Sequence, residues 1–280
     1  MRFTKMHGLG NDYIYVNMFE ESVSAPSTLS KKIADRHFGV GSDGLVLICP
    51  SEVADFRMEM YNADGSRGAM CGNASRCIGK YVYERGLTDK TEITLQTDSG
   101  IKPMRLDVED GRVVSVCVDM GETSFDSAQV PCTFSQAESL RTPIEADGRV
   151  FDVTGVLMGN PNMVIVLDKP ISDADMYHYG PLLENHPTFP KKANVEFISI
   201  AAPDVLRMRV WERGSGVTMA CGSGSCAAVS AAHKLGLIGP RAKVVLDGGE
   251  LQVEVDEETG HLLMPGPAAF VFDGDWPEDK

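Results

Sequence analysis

The 280-residue sequence lacks the features that mark several common classes of protein. No apolar run approaches the roughly 18 residues of a membrane span, and residues 1–8 lack the apolar core of a signal peptide. Positive charge is also scarce, because 26 lysine and arginine residues against 40 aspartate and glutamate residues give a formal net charge of -14. Such a charge repels nucleic acid and anionic membranes. We therefore expect a cytoplasmic protein that binds neither.

Cysteine is too sparse for a disulfide scaffold in a chain of this length, and its number, seven, is odd. Reduced thiols are therefore expected. A zinc site built from Cys71, Cys77, Cys221 and Cys226 is an alternative, but five and four intervening residues do not match the usual close pairs of ligands. We predict no metal site. Nor does any segment suggest both the Schiff-base lysine and the phosphate cradle that a pyridoxal-phosphate enzyme needs.

One pattern occurs twice. Cys71-Gly72 and Cys221-Gly222 each lead into a helix-forming run of residues that stops at a glycine, Gly86 or Gly236. The same offset of 150 residues relates further pairs, and an offset of 149 relates Asn11 to Asn160 in two similar loops. The chain is therefore interpreted as two homologous halves. The further pairs are Arg57 and Arg207, Met58 and Met208, Tyr61 and Trp211, and Ser75 and Ser225.

The spacing of apolar residues predicts a β-rich sheet with one principal helix in each half. We expect an N-terminal lobe over residues 1–120, on which residues 263–280 can pack back, and a C-terminal lobe over residues 145–274. A linker is expected within residues 118–150, which are largely polar and rich in turn residues. The predicted fold class is α+β, with two pseudo-symmetric lobes and the active site in the cleft between them.

A cysteine at a helix start can be reactive, because unpaired N–H groups and the helix dipole lower the pKa of a thiol. A lone Cys-Gly is more often a small buried apolar residue, but two matched helix starts favour the functional reading for Cys71 and Cys221. One thiolate can remove a proton from a carbon and one thiol can return a proton to its other face, which inverts a stereocentre without a cofactor. The N–H groups would hold the substrate carboxylate. Cys77 and Cys226 are interpreted as core residues.

Polar residues flank both cysteines at matching positions, and each single asparagine among them also fits a turn or a cap. Together they suit an amino-acid zwitterion, because arginine pairs with a carboxylate and glutamate with an ammonium group. They are Asn11, Asn62, Asn160, Asn194, Glu212 and Arg213.

The sequence resembles the diaminopimelate epimerase family over nearly its whole length, and the shared motifs are specific. They are residues 5–12 (KMHGLGND), 61–66 (YNADGS), 70–73 (MCGN), 158–161 (MGNP), 211–216 (WERGSG) and 220–224 (ACGSG). The resemblance implies two lobes, each a barrel-like sheet around a central helix, commonly in a homodimer. It also implies a cofactor-independent isomerase that inverts one α-carbon of LL-2,6-diaminopimelate to give the meso form, for lysine and peptidoglycan precursors.

By the same resemblance, Cys71 and Cys221 are the two acid/base residues. Gly72, Asn73, Gly222 and Ser223 would hold the reacting end of the substrate. Asn11, Asn62, Asn160, Asn194, Glu212 and Arg213 would contact the substrate, largely at its distant amino-acid end.

The sequence departs from the family pattern at several positions. Asn162 stands where the family usually has a histidine, which is thought to lie beside the cysteine pair, and Val217 stands where it usually has a glutamate. Gly44 stands where many members have glutamine, and Arg67-Gly68-Ala69 replaces a stretch that is more often acidic. Three hypotheses stay open: a diaminopimelate epimerase, a racemase of another amino acid on the same fold that needs no pyridoxal phosphate, and a binding protein without catalysis.

Overall fold

The structure is a computed structural model that describes residues 1–277. In chain order, the elements of the first half are β1 (Arg2–Gly8), β2 (Asn11–Asn17), α1 (Pro26–Ile33), β3 (Gly44–Cys49), β4 (Phe56–Asn62), β5 (Arg67–Gly68), α2 (Gly72–Glu84), β6 (Glu92–Thr97), β7 (Gly100–Glu109) and β8 (Arg112–Glu122). Those that follow are β9 (Thr142–Ala146), β10 (Arg149–Met158), β11 (Asn160–Val166), α3 (Asp173–Glu184), β12 (Asn194–Ala202), β13 (Val205–Glu212), β14 (Gly216–Val217), α4 (Gly222–Lys234), β15 (Arg241–Leu246), β16 (Gly249–Val255), β17 (His261–Gly266) and β18 (Ala269–Asp275).

The chain divides into two compact units. Unit 1 contains Met1–Asp119 and the described residues from Pro265 onward, and unit 2 contains Met120–Met264. These bounds differ from the expected ones at two places. Residues 142–146, which fall in the expected linker, form β9 of unit 2, because they pair with β10. Residues 269–275, expected in the C-terminal lobe, form β18 of unit 1, because they pair with β1.

Both units follow one plan. Hydrogen bonding orders the strands of unit 1 as β18-β1-β2-β3-β4-β6-β7-β8 and those of unit 2 as β9-β10-β11-β12-β13-β15-β16-β17. The second and fourth junctions of each half, β2 with β3 and β4 with β6, and β11 with β12 and β13 with β15, are parallel. Parallel neighbours need a crossover connection, and α1, α2, α3 and α4 supply the four crossovers. The predicted α+β fold class is confirmed.

The helices α2 and α4 differ by 150 residues at both ends and are 13 residues long. Each starts after an N-cap cysteine and stops at a glycine with positive φ, Gly86 (72°) and Gly236 (71°). In both, the N–H two residues beyond the C-cap bonds back across the last turn, from Leu87 to Val82 and from Leu237 to Ala232, at 2.9 Å. These bonds satisfy the last carbonyl groups of each helix.

The sheet of unit 2 packs around α4, which contacts β10, β11, β12, β13, β15 and β16. Its alanines 227, 228, 231 and 232 are fully buried, and side chains this small let the strands come close to the helix axis. A second apolar core lies under α3 and contains Phe151, Met176, Leu183 and Phe197. The core under α1 in unit 1 contains Phe3, Ile14, Ile33 and Leu45. No helix within residues 1–277 is long and apolar enough to cross a membrane.

Candidate active site

Cys71 is the N-cap of α2 in extended backbone conformation (φ -139°, ψ 119°). Its Sγ accepts a hydrogen bond from the N–H of Ala74 at 3.5 Å and donates one to Oδ1 of Asn11 at 3.4 Å. The side chain is half-buried. Gly72 and Asn73 are the first two residues of the helix, so their N–H groups have no acceptor within it and can bind an anion.

Asn11 and Asn73 meet beside this cysteine. Nδ2 of Asn73 donates to Oδ1 of Asn11 at 3.2 Å, the same oxygen that accepts from Cys71. Nδ2 of Asn11 is held by Oδ2 of Asp43 at 2.7 Å. Arg76, which is fully buried, donates to Oδ1 of Asn73 at 2.7 Å. Three of the predicted site residues of unit 1 therefore form one hydrogen-bonded group.

Asn62, the other predicted site residue of unit 1, lies at the end of β4. Its Nδ2 donates to Oγ of Ser66 at 2.9 Å, and its backbone pairs with Gly44 on β3. Any role for this side chain at the site stays a prediction.

Cys221 is the N-cap of α4 and has nearly the same backbone conformation (φ -129°, ψ 111°). Its Sγ accepts from the N–H of Gly224 at 3.4 Å and lies 3.6 Å from Oγ of Ser223. Gly222 and Ser223 begin this helix as Gly72 and Asn73 begin α2. Cys221 differs from its counterpart in burial, because only 6% of it is exposed.

The expectation of a lowered thiol pKa is wrong for Cys221. Burial raises its pKa well above the ordinary value, and the neighbouring carboxyl groups of Glu212 and Glu196 raise it further. The hydrogen bonds from Gly224 and Ser223 act in the opposite direction but are the smaller effect. Desolvation thus outweighs the helix N-terminus here.

The predicted residues at the end of β13 lie in different surroundings. Glu212 accepts a hydrogen bond from Oγ1 of Thr218, across the pairing of β13 with β14. Arg213 is exposed, and its Nη1 donates to the carbonyl of Lys191 at 3.2 Å. An arginine in this position is free to turn toward a ligand, and its charge is not that of a buried ion pair.

The three asparagines of unit 2 form a chain of hydrogen bonds. Nδ2 of Asn162 donates to the carbonyl of Asn160 at 2.7 Å, and Nδ2 of Asn194 donates to Oδ1 of Asn162 at 3.1 Å. Oδ1 of Asn194 accepts from the N–H of Arg213 at 2.8 Å. Asn162 is fully buried. In place of the family's histidine it therefore acts as a link that orients Asn194 and the loop at Arg213.

Sequence reasoning missed three side chains that support these residues: Asp43, Arg76 and Glu196. Asp43 and Arg76 hold Asn11 and Asn73, as described above. Glu196 lies on β12 and is fully buried close to the start of α4. The offset of 150 residues pairs it with Val46, and a charged residue opposite an apolar one inside a strand is the signal that could have found it.

Comparisons with known proteins agree with this geometry. Residues 3–125 and 154–271 match the diaminopimelate epimerase family. The chain is 52% identical over 276 residues to the diaminopimelate epimerase of Acetivibrio thermocellus, covering 98% of each chain. It is 48% identical over 282 residues to the diaminopimelate epimerase of Desulfovibrio desulfuricans, covering 99% of this chain and 98% of the other.

Solved structures share the fold at low sequence identity. A probable proline racemase from Agrobacterium radiobacter K84 has a TM-score of 0.72 and 17% identity, covering 99% of this chain and 93% of that one. A hydroxyproline epimerase from Agrobacterium vitis has a TM-score of 0.72 and 16% identity, covering 98% and 91%. On the sequence match along nearly its whole length, this chain belongs to the diaminopimelate epimerase family.

Proposed function

We propose that this protein is a cofactor-independent epimerase that inverts one α-carbon of LL-2,6-diaminopimelate to give the meso form. The supporting relatives, 52% and 48% identical over nearly the full chain, carry the name diaminopimelate epimerase. In this role the enzyme supplies precursors of lysine and peptidoglycan. The substrate is a small amino acid with two carboxylates.

The observation that carries the chemistry is the pair of N-cap cysteines on two helices of equal length, 150 residues apart. Cys71 and Cys221 are the two acid/base groups. One sulfur, as a thiolate, removes the α-proton, and the other, as a thiol, returns a proton to the opposite face of the carbon. The N–H groups of Gly72, Asn73, Gly222 and Ser223 stabilise the negative charge that develops on the carboxylate.

The remaining predicted residues recognise the substrate. Arg213 is exposed and carries the charge that a distant carboxylate needs. Glu212 suits an ammonium group, while Asn11, Asn62, Asn160 and Asn194 supply amide donors and acceptors. Asn162 orients Asn194 through their hydrogen bond.

The test is exchange of the substrate α-hydrogen in heavy water, followed by NMR under reducing conditions with formation of the meso isomer. Cys71→Ala and Cys221→Ala are each expected to abolish epimerisation, since acid/base groups of this kind contribute about 10²- to 10⁴-fold. Cys77→Ala and Cys226→Ala are matched controls on the same two helices and should keep activity. Burial raises the pKa of Cys77 to about 12, so this thiol is not a base near neutral pH. Full activity in either Cys71→Ala or Cys221→Ala would refute the two-base assignment.

The second candidate, a racemase of another amino acid, rests on Asn162 and Val217, which replace the family's usual histidine and glutamate. A panel of amino acids in the same exchange assay separates the candidates. Exchange with diaminopimelate supports the first, and exchange only with a different amino acid supports the second. Binding without exchange for every compound identifies a binding protein.

We further propose that the enzyme works as a homodimer in the cytoplasm, where its seven free cysteines stay reduced. Sedimentation of the purified protein tests the dimer, and a mass of about one chain contradicts it. Fractionation of cells that produce the protein tests the compartment.

A further inference from the structure

Glu196 is a buried carboxyl group that the proposed reaction does not use. It lies in the middle of β12, its exposed fraction is 0%, and neither carboxyl oxygen has a hydrogen-bond partner among residues 1–277. Burying an unpaired carboxyl group is costly. Such a residue therefore calls for an explanation from its surroundings.

The carboxyl group faces the start of α4. A carbon added at Gly224 would lie 2.8 Å from Oε1 of Glu196 and 3.2 Å from Sγ of Cys221. The same glycine donates its N–H to that sulfur at 3.4 Å. The carboxyl group and the sulfur therefore meet on either side of one glycine, at the first turn of the helix.

The corresponding place in unit 1 is apolar. Val46 pairs with Met60 in unit 1 as Glu196 pairs with Val210 in unit 2, an offset of 150 residues at both positions. Ala74 takes the place of Gly224 at the third helical position. Valine with alanine beside Cys71 thus becomes glutamate with glycine beside Cys221, and the missing methyl group of Gly224 leaves the space that the carboxyl group fills.

We propose that Glu196 is a positioning residue that keeps Cys221 in its thiol form, because the carboxyl group and the sulfur compete for one negative charge at the start of α4. This proposal rests on the proposed function for its role in catalysis. It assigns Cys221 as the sulfur that carries a proton in the resting enzyme. Cys71, with valine and alanine at the matching positions, is the sulfur that ionises more readily.

The competition follows from ordinary acid strengths. A carboxylic acid ionises well before a thiol, so the charge appears first on Glu196, and a second charge beside it is disfavoured. Burial, and then the neighbouring Glu212, raise the pKa of Glu196 well above its ordinary value. Burial followed by Glu212 and Glu196 does the same for Cys221.

The other charged groups on the strands around α4 do not compensate this charge. They point outward and pair with each other: Arg207 and Arg209 with Asp247, Lys243 with Glu250, Arg241 with Glu254, and Arg149 with Asp175, while Asp152 is exposed. His233 and Lys234 are in the last turn of α4, at the far end from Cys221. Glu196 and Glu212 are therefore the charged groups that act on the sulfur.

The experiment measures the alkylation rate of Cys221 by iodoacetamide between pH 6 and pH 10, by peptide mass spectrometry on the whole protein. Glu196→Gln keeps the side-chain shape and removes the charge, so Cys221 should react at least about threefold faster at pH 8, because more of it is thiolate. Cys71 in the same sample is the internal control and should not change. Faster reaction of both cysteines, or no change at Cys221, would overturn the proposal.

A second variant guards against a local packing defect. Glu196→Val with Gly224→Ala transfers the pair of residues found beside Cys71 to unit 2, and should speed alkylation of Cys221 in the same direction. Glu196→Asp keeps a carboxyl group and should stay close to the wild-type rate. An equal acceleration in all three variants would show that only packing was disturbed.

The alkylation assay needs no turnover, so its outcome is independent of the substrate assignment. Where the protein is active on diaminopimelate, the pH profile of kcat/KM adds a second readout. The basic limb reports loss of the proton-donating group, and in Glu196→Gln it should move to lower pH. A limb at the wild-type position contradicts the assigned role of Glu196.

Discussion

The two helix starts share a backbone but not a chemical environment. In unit 1, Cys71 is half-buried and its sulfur donates to the amide oxygen of Asn11. In unit 2, Cys221 is buried and lies near two carboxyl groups, Glu196 and Glu212. Neutral residues, Val46 and Asn62, occupy the matching positions of unit 1. A duplicated scaffold thus offers two copies of one reactive group with different proton affinities.

This difference suits an inversion reaction. A catalyst that removes a proton from one face and adds a proton to the other needs, at any moment, one base and one acid. Two identical sites would have to differ by chance protonation alone. Residues that differ between the units, at offsets of 150 along the chain, can set that difference permanently.

The largest expected effect separates the two asparagines that begin β2 and β11. Asn11→Ala removes the acceptor of both Cys71 and Asn73, and should lower kcat by about 10- to 100-fold, since a hydrogen bond to a charged group is worth about 1.5–3 kcal/mol. Asn160→Ala should act mainly on KM, because the Asn160 side chain bonds to Asn162. Steady-state kinetics on both variants checks this. Equal losses of kcat would mean that the two units position their cysteines in the same way.

Much of the scaffold follows from the sequence. The offset of 150 residues predicts the matched helices, and Cys71, Gly86, Cys221 and Gly236 mark their starts and stops because caps and positive-φ glycines act locally. The strands β9 and β18 were harder to assign to a unit. Their partners, β10 and β1, are chosen by long-range pairing, which no local pattern reveals.

The state of the cysteines could not be predicted in the same way. A helix start lowers the pKa of a thiol, but the net direction at Cys221 depends on burial and on carboxyl groups brought from β12 and β13. The exposure of Arg213 likewise depends on the loop at Lys191. Tertiary neighbours, which the sequence does not order in space, decide both.

The next effect concerns substrate recognition by unit 2. Arg213→Ala should raise KM for diaminopimelate by about 10- to 100-fold, because the variant loses a charge-assisted hydrogen bond of about 1.5–3 kcal/mol. Arg213→Lys keeps the charge without the paired donors and should fall between the two. Turnover at saturating substrate should change little. An unchanged KM, or equal use of a monocarboxylate such as lysine, would favour a racemase of another amino acid.

A smaller effect is expected where the chain departs from its family. Asn162→His places a larger ring at a fully buried position whose amide already bonds to Asn160 and Asn194. Overpacking of this kind costs about 1–3 kcal/mol of stability, measured by urea unfolding. Asn162→Asp has nearly the same volume and separates the loss of the amide donor from the loss of space. A histidine variant as stable as wild type would show that the pocket has room for the family's usual residue.

The smallest effect is on stability and its dependence on pH. Because the folded protein raises the pKa of Glu196, through burial first and Glu212 second, folding holds a proton that the unfolded chain releases above its ordinary pKa of about 4.3. The unfolded chain then binds fewer protons, so this carboxyl group makes the folded protein less stable as pH rises from that value through the raised pKa.

Glutamine does not titrate, so Glu196→Gln should gain stability relative to wild type between pH 5 and pH 8, by on the order of 1 kcal/mol, the usual scale for one buried polar group. Urea unfolding under reducing conditions at several pH values measures the difference. Glu257→Gln is the control, because its side chain is 69% exposed on the loop before β17. A gain for Glu196→Gln that is the same at every pH would mean that its carboxyl group does not titrate in this range, and the contrast between the two helix starts would then rest on Glu212 alone.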